Sequence, residues 1–191
     1  CTALTSVNLN NNTGLGSIDV SANTALTTLR ANNTGLTSID LSANTILKNL
    51  YVNENQLTTL DVSKMVAGSY IFANDNKLTE LVTAAEMLSS KTRINVLRNN
   101  FTMSTLPTIS GVNAYNYAPQ QAMTIATEIN EGEELDLSSE AMVGENATVY
   151  TWYTAADNAE FTNYTVENGK FVFDVTADTE LYCTMTNATF N

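Results

Sequence analysis

Three aspartates, Asp19, Asp40 and Asp61, recur at a fixed interval of 21 residues. If the backbone repeats at the same interval, their carboxylates stack about 4.8 Å apart on one surface. Carboxylates at that distance repel one another by about 1 kcal/mol in water, so another interaction must offset the repulsion. We expect hydrogen bonds from turn amides, or from the serine two positions after each aspartate. The alternative is a ladder of cations, because hard oxygen ligands suit calcium.

The other polar residues offer little for catalysis. The chain contains no histidine, which removes the commonest general base and excludes Ser–His and Cys–His arrangements. We interpret the acidic run at 128–136 as a solvated loop that leads into a strand. Cys1 and Cys183 lie at opposite ends of the chain and match neither a zinc spacing nor a disulfide framework. We therefore expect no enzyme activity and no cofactor.

The aspartate interval belongs to a longer internal repeat. Residues 17–36 read SIDVSANTALTTLRANNTGL, and residues 38–57 read SIDLSANTILKNLYVNENQL. The shared frame is L-x-x-L-x-L-x-x-N-x-L, in which the alternation of apolar and polar residues predicts one strand per copy. The copies predict parallel strands near 6–10, 28–32, 49–53, 70–74 and 93–97. One copy cannot bury its apolar face alone, so stacked copies form a solenoid, and the recurring Asn satisfies backbone groups of a tight turn.

This frame resembles the leucine-rich repeat, and the other half of each copy narrows the resemblance to the short 21-residue (IRREKO-type) bacterial class. Those halves read LGSIDVSAN, LTSIDLSAN and LTTLDVSKM. The resemblance covers about residues 1–107 and implies a solenoid of about five coils. In the last coil, Thr83 and Glu86 match a capping box and predict a short helix near 84–90. The first coil has no cap, so we expect the array to continue upstream in the native chain.

The predicted strands gather aromatic and basic side chains on the concave face, where repeat proteins usually bind. The side chains that point outward lie two and four residues after the leading position of each copy. The resulting cluster contains Tyr51, Tyr70, Phe72, Arg30, Arg93 and Asn49. Aromatic and Arg residues are the usual anchors of interfaces, so we predict that this cluster binds the ligand. The alternative is ordinary strand propensity, since Tyr and Phe favour strands.

A second domain follows the repeat. Prolines and turn residues predict a linker at 108–121. Beyond it, short alternating segments and the hairpin pair Asn168-Gly169 are typical of an all-β sandwich over 122–191. Trp152 in YTWY and Cys183 in LYC resemble the core pair of the immunoglobulin-like sandwich. We therefore expect a mainly β chain, with a leucine-rich-repeat solenoid at 1–107 and an immunoglobulin-like β-sandwich after the linker.

Charge limits the possible partners. The chain has 8 Lys and Arg against 20 Asp and Glu, a formal net charge of -12. This balance argues against nucleic acid and against an anionic membrane surface, both of which need clustered cations. No apolar run is long enough to span a bilayer, so we expect no membrane insertion.

The resemblance implies a protein of the extracellular space or the bacterial cell surface. Proteins of this kind join short leucine-rich repeats to immunoglobulin-like modules, so we expect non-catalytic recognition or adhesion, with a protein or a glycan as ligand. The alternative is a carbohydrate-binding accessory region of a larger surface enzyme or nutrient-uptake system. Aromatic side chains with Asn neighbours would suit sugars.

Overall fold

The computed structural model describes residues 2–122, 125, 128–130, 132–175 and 179–190. The chain divides into two units, Cys1–Phe101 with Thr105–Ala122 and Thr102–Ser104 with Met123–Asn191. The first unit is a parallel β-solenoid, and the second is built from antiparallel sheets that are consistent with a β-sandwich. The predicted mainly β fold class is confirmed.

The repeat of the first unit produces short strands at the predicted interval. Its strands among the described residues are β1 Ser6–Asn8, β2 Thr28–Arg30, β3 Asn49–Tyr51, β4 Thr59–Asp61, β5 Tyr70–Phe72, β6 Glu80–Val82, β7 Arg93–Asn95 and β8 Ala114–Asn116. Strands β1, β2, β3, β5, β7 and β8 form the solenoid sheet in that order, and every neighbouring pair is parallel. The five expected strands are present. Each is three residues long, whereas the sequence predicts strands of five residues.

Strand β8 extends the solenoid sheet by one coil beyond the five that the repeat predicts. It lies inside 108–121, the segment that the sequence predicts to be a linker. Tyr115 lies opposite Ile94 in the register, at a core position of the repeat. Gln120 takes the position of the recurring Asn: its Oε1 accepts the backbone N–H of Asn99 at 3.1 Å, and its Nε2 donates to the Val96 carbonyl at 3.2 Å.

The opposite half of the coils holds a smaller parallel pair, β4 and β6. After β6 the chain forms a 3₁₀ helix at Ala85–Met87, which is shorter than the helix predicted near 84–90. The predicted capping box is wrong, because the N-cap residue is Ala84 and makes no side-chain cap hydrogen bond. Thr83 stands one residue too early for that role.

The core of the solenoid is a stack of equivalent aliphatic side chains. Leu29, Leu50, Ile71 and Ile94 lie opposite one another in successive strands and are at most 1% exposed. Each packs against the coils on both sides, so the apolar face of one coil is covered only when its neighbours are present. The polar residues of each strand consequently face away from this stack.

The recurring Asn of the frame is also buried, and it joins neighbouring coils. The Oδ1 atom of Asn55 accepts the backbone N–H of Leu36 in the preceding coil at 3.0 Å. Its Nδ2 atom donates to the carbonyl of Ala31 in that coil at 2.7 Å. Asn76 and Asn99 repeat this pattern in the next coils. The predicted structural role of this Asn is confirmed.

The second unit contains β9 Glu134–Asp136, β10 Met142–Val143, β11 Asn146–Thr154, β12 Glu160–Phe161, β13 Tyr164–Glu167, β14 Lys170–Phe173 and β15 Leu181–Asn187. One sheet has the order β10-β11-β12 with β15 paired to β11, and the other has the order β13-β14-β9. The buried side chains of Leu137, Trp152, Phe171 and Phe173 form its core. Trp152 contacts Phe173 edge to face, with 4.7 Å between the ring centroids.

The hairpin of this unit follows the sequence prediction, and Trp152 is buried beside a cysteine that is only partly buried. Asn168 and Gly169 have φ of 50° and 79°, and Glu167 lies opposite Lys170 across the turn. Cys183 lies opposite Trp152 and is a free thiol whose pKa burial raises to about 11. Cys1 lies outside the described residues, as does Glu131 of the acidic run.

The end of the acidic run lies in the strand into which it leads, as the sequence predicts. Glu134 and Asp136 lie in strand β9 and contact the Lys170 ammonium at 2.8 Å and 3.3 Å. Asp136 also accepts the backbone N–H of Ser138 at 2.9 Å. The hydrogen bond to Ser138, helped by Lys170, lowers the pKa of Asp136 to about 2. These carboxylates therefore stabilise the local fold.

Candidate binding surface on the solenoid sheet

The strands of the solenoid sheet expose alternate residues, which form columns across neighbouring coils. In β2, Leu29 is buried while Thr28 and Arg30 are partly exposed, and β3 and β5 repeat the pattern. The first column contains Ser6, Thr28, Asn49, Tyr70, Arg93 and Ala114. The second column contains Asn8, Arg30, Tyr51, Phe72, Asn95 and Asn116. All six predicted ligand-binding residues lie in these columns.

Arg30, Tyr51 and Phe72 form a continuous stack along the second column. The rings of Tyr51 and Phe72 are 5.2 Å apart between centroids and within 4° of parallel. The Arg30 guanidinium carbon lies 5.1 Å from the centroid of the Tyr51 ring. Parallel strands are about 4.8 Å apart, so side chains in register stack at this distance. Arg30 and Phe72 therefore cover the two faces of the Tyr51 ring.

A second contact of the same kind lies in the first column. The Arg93 guanidinium carbon lies 5.3 Å from the centroid of the Tyr70 ring. The Nε atom of Arg93 donates a hydrogen bond to Asn113 Oδ1 at 2.7 Å. Asn49 donates from Nδ2 to Thr28 Oγ1 at 3.1 Å, so its amide is held within the same column. We call Arg30, Asn49, Tyr51, Tyr70, Phe72 and Arg93 the aromatic surface.

The two arginines of the aromatic surface have no ion-pair partner among the described residues, where the ion pairs involve Arg98 and Lys170. Neither of the two columns contains a carboxylate. Cation–π contacts hold Arg30 and Arg93 in place, and each contributes about 0.5–1 kcal/mol at exposed sites. The positive charges on this face are consequently available to a ligand.

A third column, two residues further along each coil, is structural. It contains Asn10, Asn32, Asn53 and Asn74 in the first four coils. Asn10 Oδ1 accepts the backbone N–H of Asn32 at 2.9 Å, and Asn32 Oδ1 accepts that of Asn53 at 3.0 Å. Asn10 and Asn32 therefore join neighbouring coils at the edge of the aromatic surface, whereas Asn74 donates to Asp75 within its own coil.

The aspartate ladder is hydrogen-bonded as the first interpretation predicts. Asp19, Asp40 and Asp61 accept the backbone N–H of Ser21, Ser42 and Ser63 at 2.9, 2.9 and 2.8 Å. Hydrogen bonds from these serines lower the pKa of Asp19 and of Asp40. No group of three or more potential metal ligands occurs in the part of the chain that the structure describes. The calcium alternative stays a prediction.

Sequence reasoning missed the contribution of the sixth coil to the surface. Asn113, which orients Arg93, precedes β8 in the segment assigned to the linker. A further shift of 21 residues from Ile94 and Asn99 leads to Tyr115 and Gln120, so the signal is present in the sequence. It is hidden because Tyr replaces the aliphatic residue and Gln replaces the Asn.

The second unit has a cleft that the sequence did not predict. Its volume is about 720 Å³, and its lining includes Tyr150, Tyr164 and Phe171. Three exposed apolar side chains also line it: Met142, Val149 and Val166, each more than half exposed. The cleft is largely apolar, and its lining includes none of the charged side chains of the unit.

Comparison with protein-family models, with curated proteins and with solved structures finds no match for this chain. None of the helices in the described residues has the length and apolar character needed to cross a membrane.

Proposed function

We propose that this chain is a non-catalytic recognition protein of the extracellular space or the bacterial cell surface, of the leucine-rich-repeat adhesin kind. Its ligand binds the aromatic surface. The observation that carries the proposal is a cluster on an open sheet face, formed by aromatic rings and by two arginines that make no ion pair with the described residues. Aromatic and Arg side chains dominate the energy of interfaces, because they bury large areas and form several hydrogen bonds.

The composition and the repeat support the same function. Stacked coils present a rigid, regular surface, and binding on such a surface needs no catalytic group. The resemblance of the frame to short bacterial leucine-rich repeats, and of the second unit to an immunoglobulin-like module, supports a location at the cell surface. Of the two ligand classes, the geometry favours protein over sugar, because Arg30 and Phe72 already cover the ring of Tyr51.

The test compares binding by the wild-type chain with binding by the double variant Tyr51→Ala/Phe72→Ala. Both are screened against a panel of purified extracellular proteins and a glycan array. We expect a protein ligand whose binding is lost in the double variant, because the stacked anchors of the surface are removed. The matched control is Tyr153→Ala/Tyr182→Ala, which removes another stacked pair, 5.2 Å apart and in the second unit.

The control should bind as the wild-type chain does. Binding retained by Tyr51→Ala/Phe72→Ala, with an unchanged melting curve, would move the site away from the aromatic surface. A sugar ligand that depends on Tyr51 and Phe72 would instead favour the carbohydrate-binding alternative.

A further inference from the structure

We infer that the ligand of the aromatic surface is an extended peptide segment with acidic side chains about four residues apart, which Arg30 and Arg93 bind. The inference rests on the proposed function and adds the chemistry of the ligand to it. Four observations support the inference: the unused hydrogen-bond donors of the two arginines, the charge of the two columns, the distance between the arginines and the area of the sheet face.

The arginines are oriented but their hydrogen-bonding capacity is largely unused. Arg93 is held by the Tyr70 ring and by Asn113, and that hydrogen bond uses its Nε–H group. A guanidinium has five N–H donors, so the two Nη groups of Arg93 remain for a ligand. Planar guanidinium groups bind carboxylates with two parallel hydrogen bonds. A fixed guanidinium with unused N–H groups can therefore donate hydrogen bonds to an acidic side chain.

Charge is separated on this molecule in a way that favours an acidic ligand. The whole chain has a formal net charge of -12, yet the two columns of the aromatic surface contain two cations and no carboxylate. The aspartates of the repeat lie in the other half of each coil, as Asp61 in β4 does. An acidic segment that approaches this face would thus meet positive charge at close range, where the interaction is least screened.

The spacing of the arginines sets the spacing of the acids. Arg30 lies in β2 and Arg93 lies in β7, three strand spacings away in the sheet. Asn95 is the residue of β7 in the same column as Arg30, and Arg93 precedes Asn95 by two residues. The backbone separation is therefore about 14 Å across the strands and about 7 Å along them, or about 16 Å in total. In an extended peptide, side chains on one face recur every second residue, so residues four apart are separated by about 13 Å. Two flexible arginine side chains can close the remaining difference.

The size of the face excludes a large globular interface. Six strands at about 4.8 Å span about 24 Å, and the three residues of each strand extend about 10 Å, which gives an area of roughly 240 Å². A stable interface between folded proteins buries about 800 Å² on each partner. The face accommodates a single extended segment, whose apolar side chains would contact the edges of the Tyr51, Phe72 and Tyr70 rings between the two arginines.

The experiment selects binders from a display library of random linear peptides on the full chain and measures their affinities by calorimetry. We expect enriched peptides with two acidic residues about four positions apart. The variant Arg30→Gln/Arg93→Gln should weaken binding by about tenfold to a hundredfold, since hydrogen bonds between charged groups are lost. The control Lys64→Gln/Lys77→Gln makes the same change in net charge at exposed positions outside the two columns and should leave the affinity unchanged.

Two results would overturn the inference. One is enrichment of peptides without acidic residues, or of no peptides at all. The other is equal affinity of the arginine variant and the wild-type chain for the selected peptides. If binding survives Arg30→Gln/Arg93→Gln but is lost in Tyr51→Ala/Phe72→Ala, the acidic-peptide inference fails while the proposed site on the aromatic surface stands. If it survives both, the proposed function fails as well.

Discussion

The recurring Asn shows how single side chains hold the coils together. Asn76 is 1% exposed, its Oδ1 accepts the backbone N–H of Leu57 at 3.0 Å, and its Nδ2 donates to the carbonyls of Val52 and Ala73 at 2.9 and 3.1 Å. An aliphatic residue at this position would leave several buried backbone groups without partners. The Asn is thus required by the tight turn and not by the ligand.

We predict that Asn76→Ala destabilises the chain by about 2–5 kcal/mol, because each buried polar group left unpaired costs about 1–3 kcal/mol. The exposed Asn116 of β8 provides the control, and Asn116→Ala should change the stability by less than about 0.5 kcal/mol. Denaturant titration of both variants measures the difference. Equal losses would show that the Asn of the frame does not join the coils.

A charged pair stabilises the same turn in neighbouring coils. Asp75 and Arg98 both have left-handed backbone, with φ of 57° and 51°, and Arg98 Nη2 donates to Asp75 Oδ2 at 2.7 Å. The hydrogen bond from Arg98 lowers the pKa of the Asp75 carboxyl below its ordinary value of 3.8. A carboxyl with a lowered pKa in the folded state adds stability above its unfolded pKa, and this stability is lost as the pH falls through the folded pKa.

The difference in unfolding free energy between the wild-type chain and Asp75→Asn should therefore be constant near neutral pH and should shrink as the pH falls below about 4. The pair is partly exposed, so the effect is small and decreases with added salt. Thermal melts of both chains across the acidic range give this difference. A difference that stays the same down to the lowest pH would contradict the role of the ion pair.

At the scale of the element, residues alternate along the strands of the solenoid sheet: the central side chain packs in the core, and its two neighbours lie on the outer face. Leu50 is fully buried, while its neighbour Tyr51 lies on the aromatic surface. We predict that Leu50→Ala destabilises the chain by about 2–5 kcal/mol, because it leaves a cavity shared by adjacent coils. Tyr51→Ala should have a much smaller effect on stability. Denaturant melts compare the two variants, and similar losses would mean that the inner and outer faces are reversed.

The elements also show what the sequence can and cannot predict. Alternation and the 21-residue interval locate β1, β2, β3, β5 and β7, because the core of a solenoid requires an aliphatic residue at the same place in every coil. The same interval places Tyr51 beside Phe72. The pattern does not reveal the sixth coil, since Tyr115 is an aromatic residue at an aliphatic position and Gln120 carries the amide of the Asn on a longer side chain. The cation–π contacts of Arg30 and Arg93 depend on side-chain rotamers, which repeat patterns do not determine.

At the scale of the whole molecule, the proposed function depends on the register of the coils. The residues of the aromatic surface come from β2, β3, β5 and β7, and they are adjacent only because each strand pairs with the equivalent residues of the next coil. A shift of one residue would move every outward side chain into the core. The aromatic surface therefore exists only in this register.

Disulfide formation between engineered cysteines tests that register most directly, in a chain with Cys1→Ser and Cys183→Ser. Thr28 lies opposite Asn49, so their Cα atoms are separated by about 4.8 Å, within the range that a disulfide spans. Thr28 and Tyr51 are diagonal neighbours at about 8 Å, which is too far. We predict that mild oxidation of Thr28→Cys/Asn49→Cys gives an intramolecular disulfide, detected by mass spectrometry of a digest, while Thr28→Cys/Tyr51→Cys stays reduced. A disulfide in the diagonal pair, or none in the pair in register, would contradict the arrangement of the coils and the surface built on it.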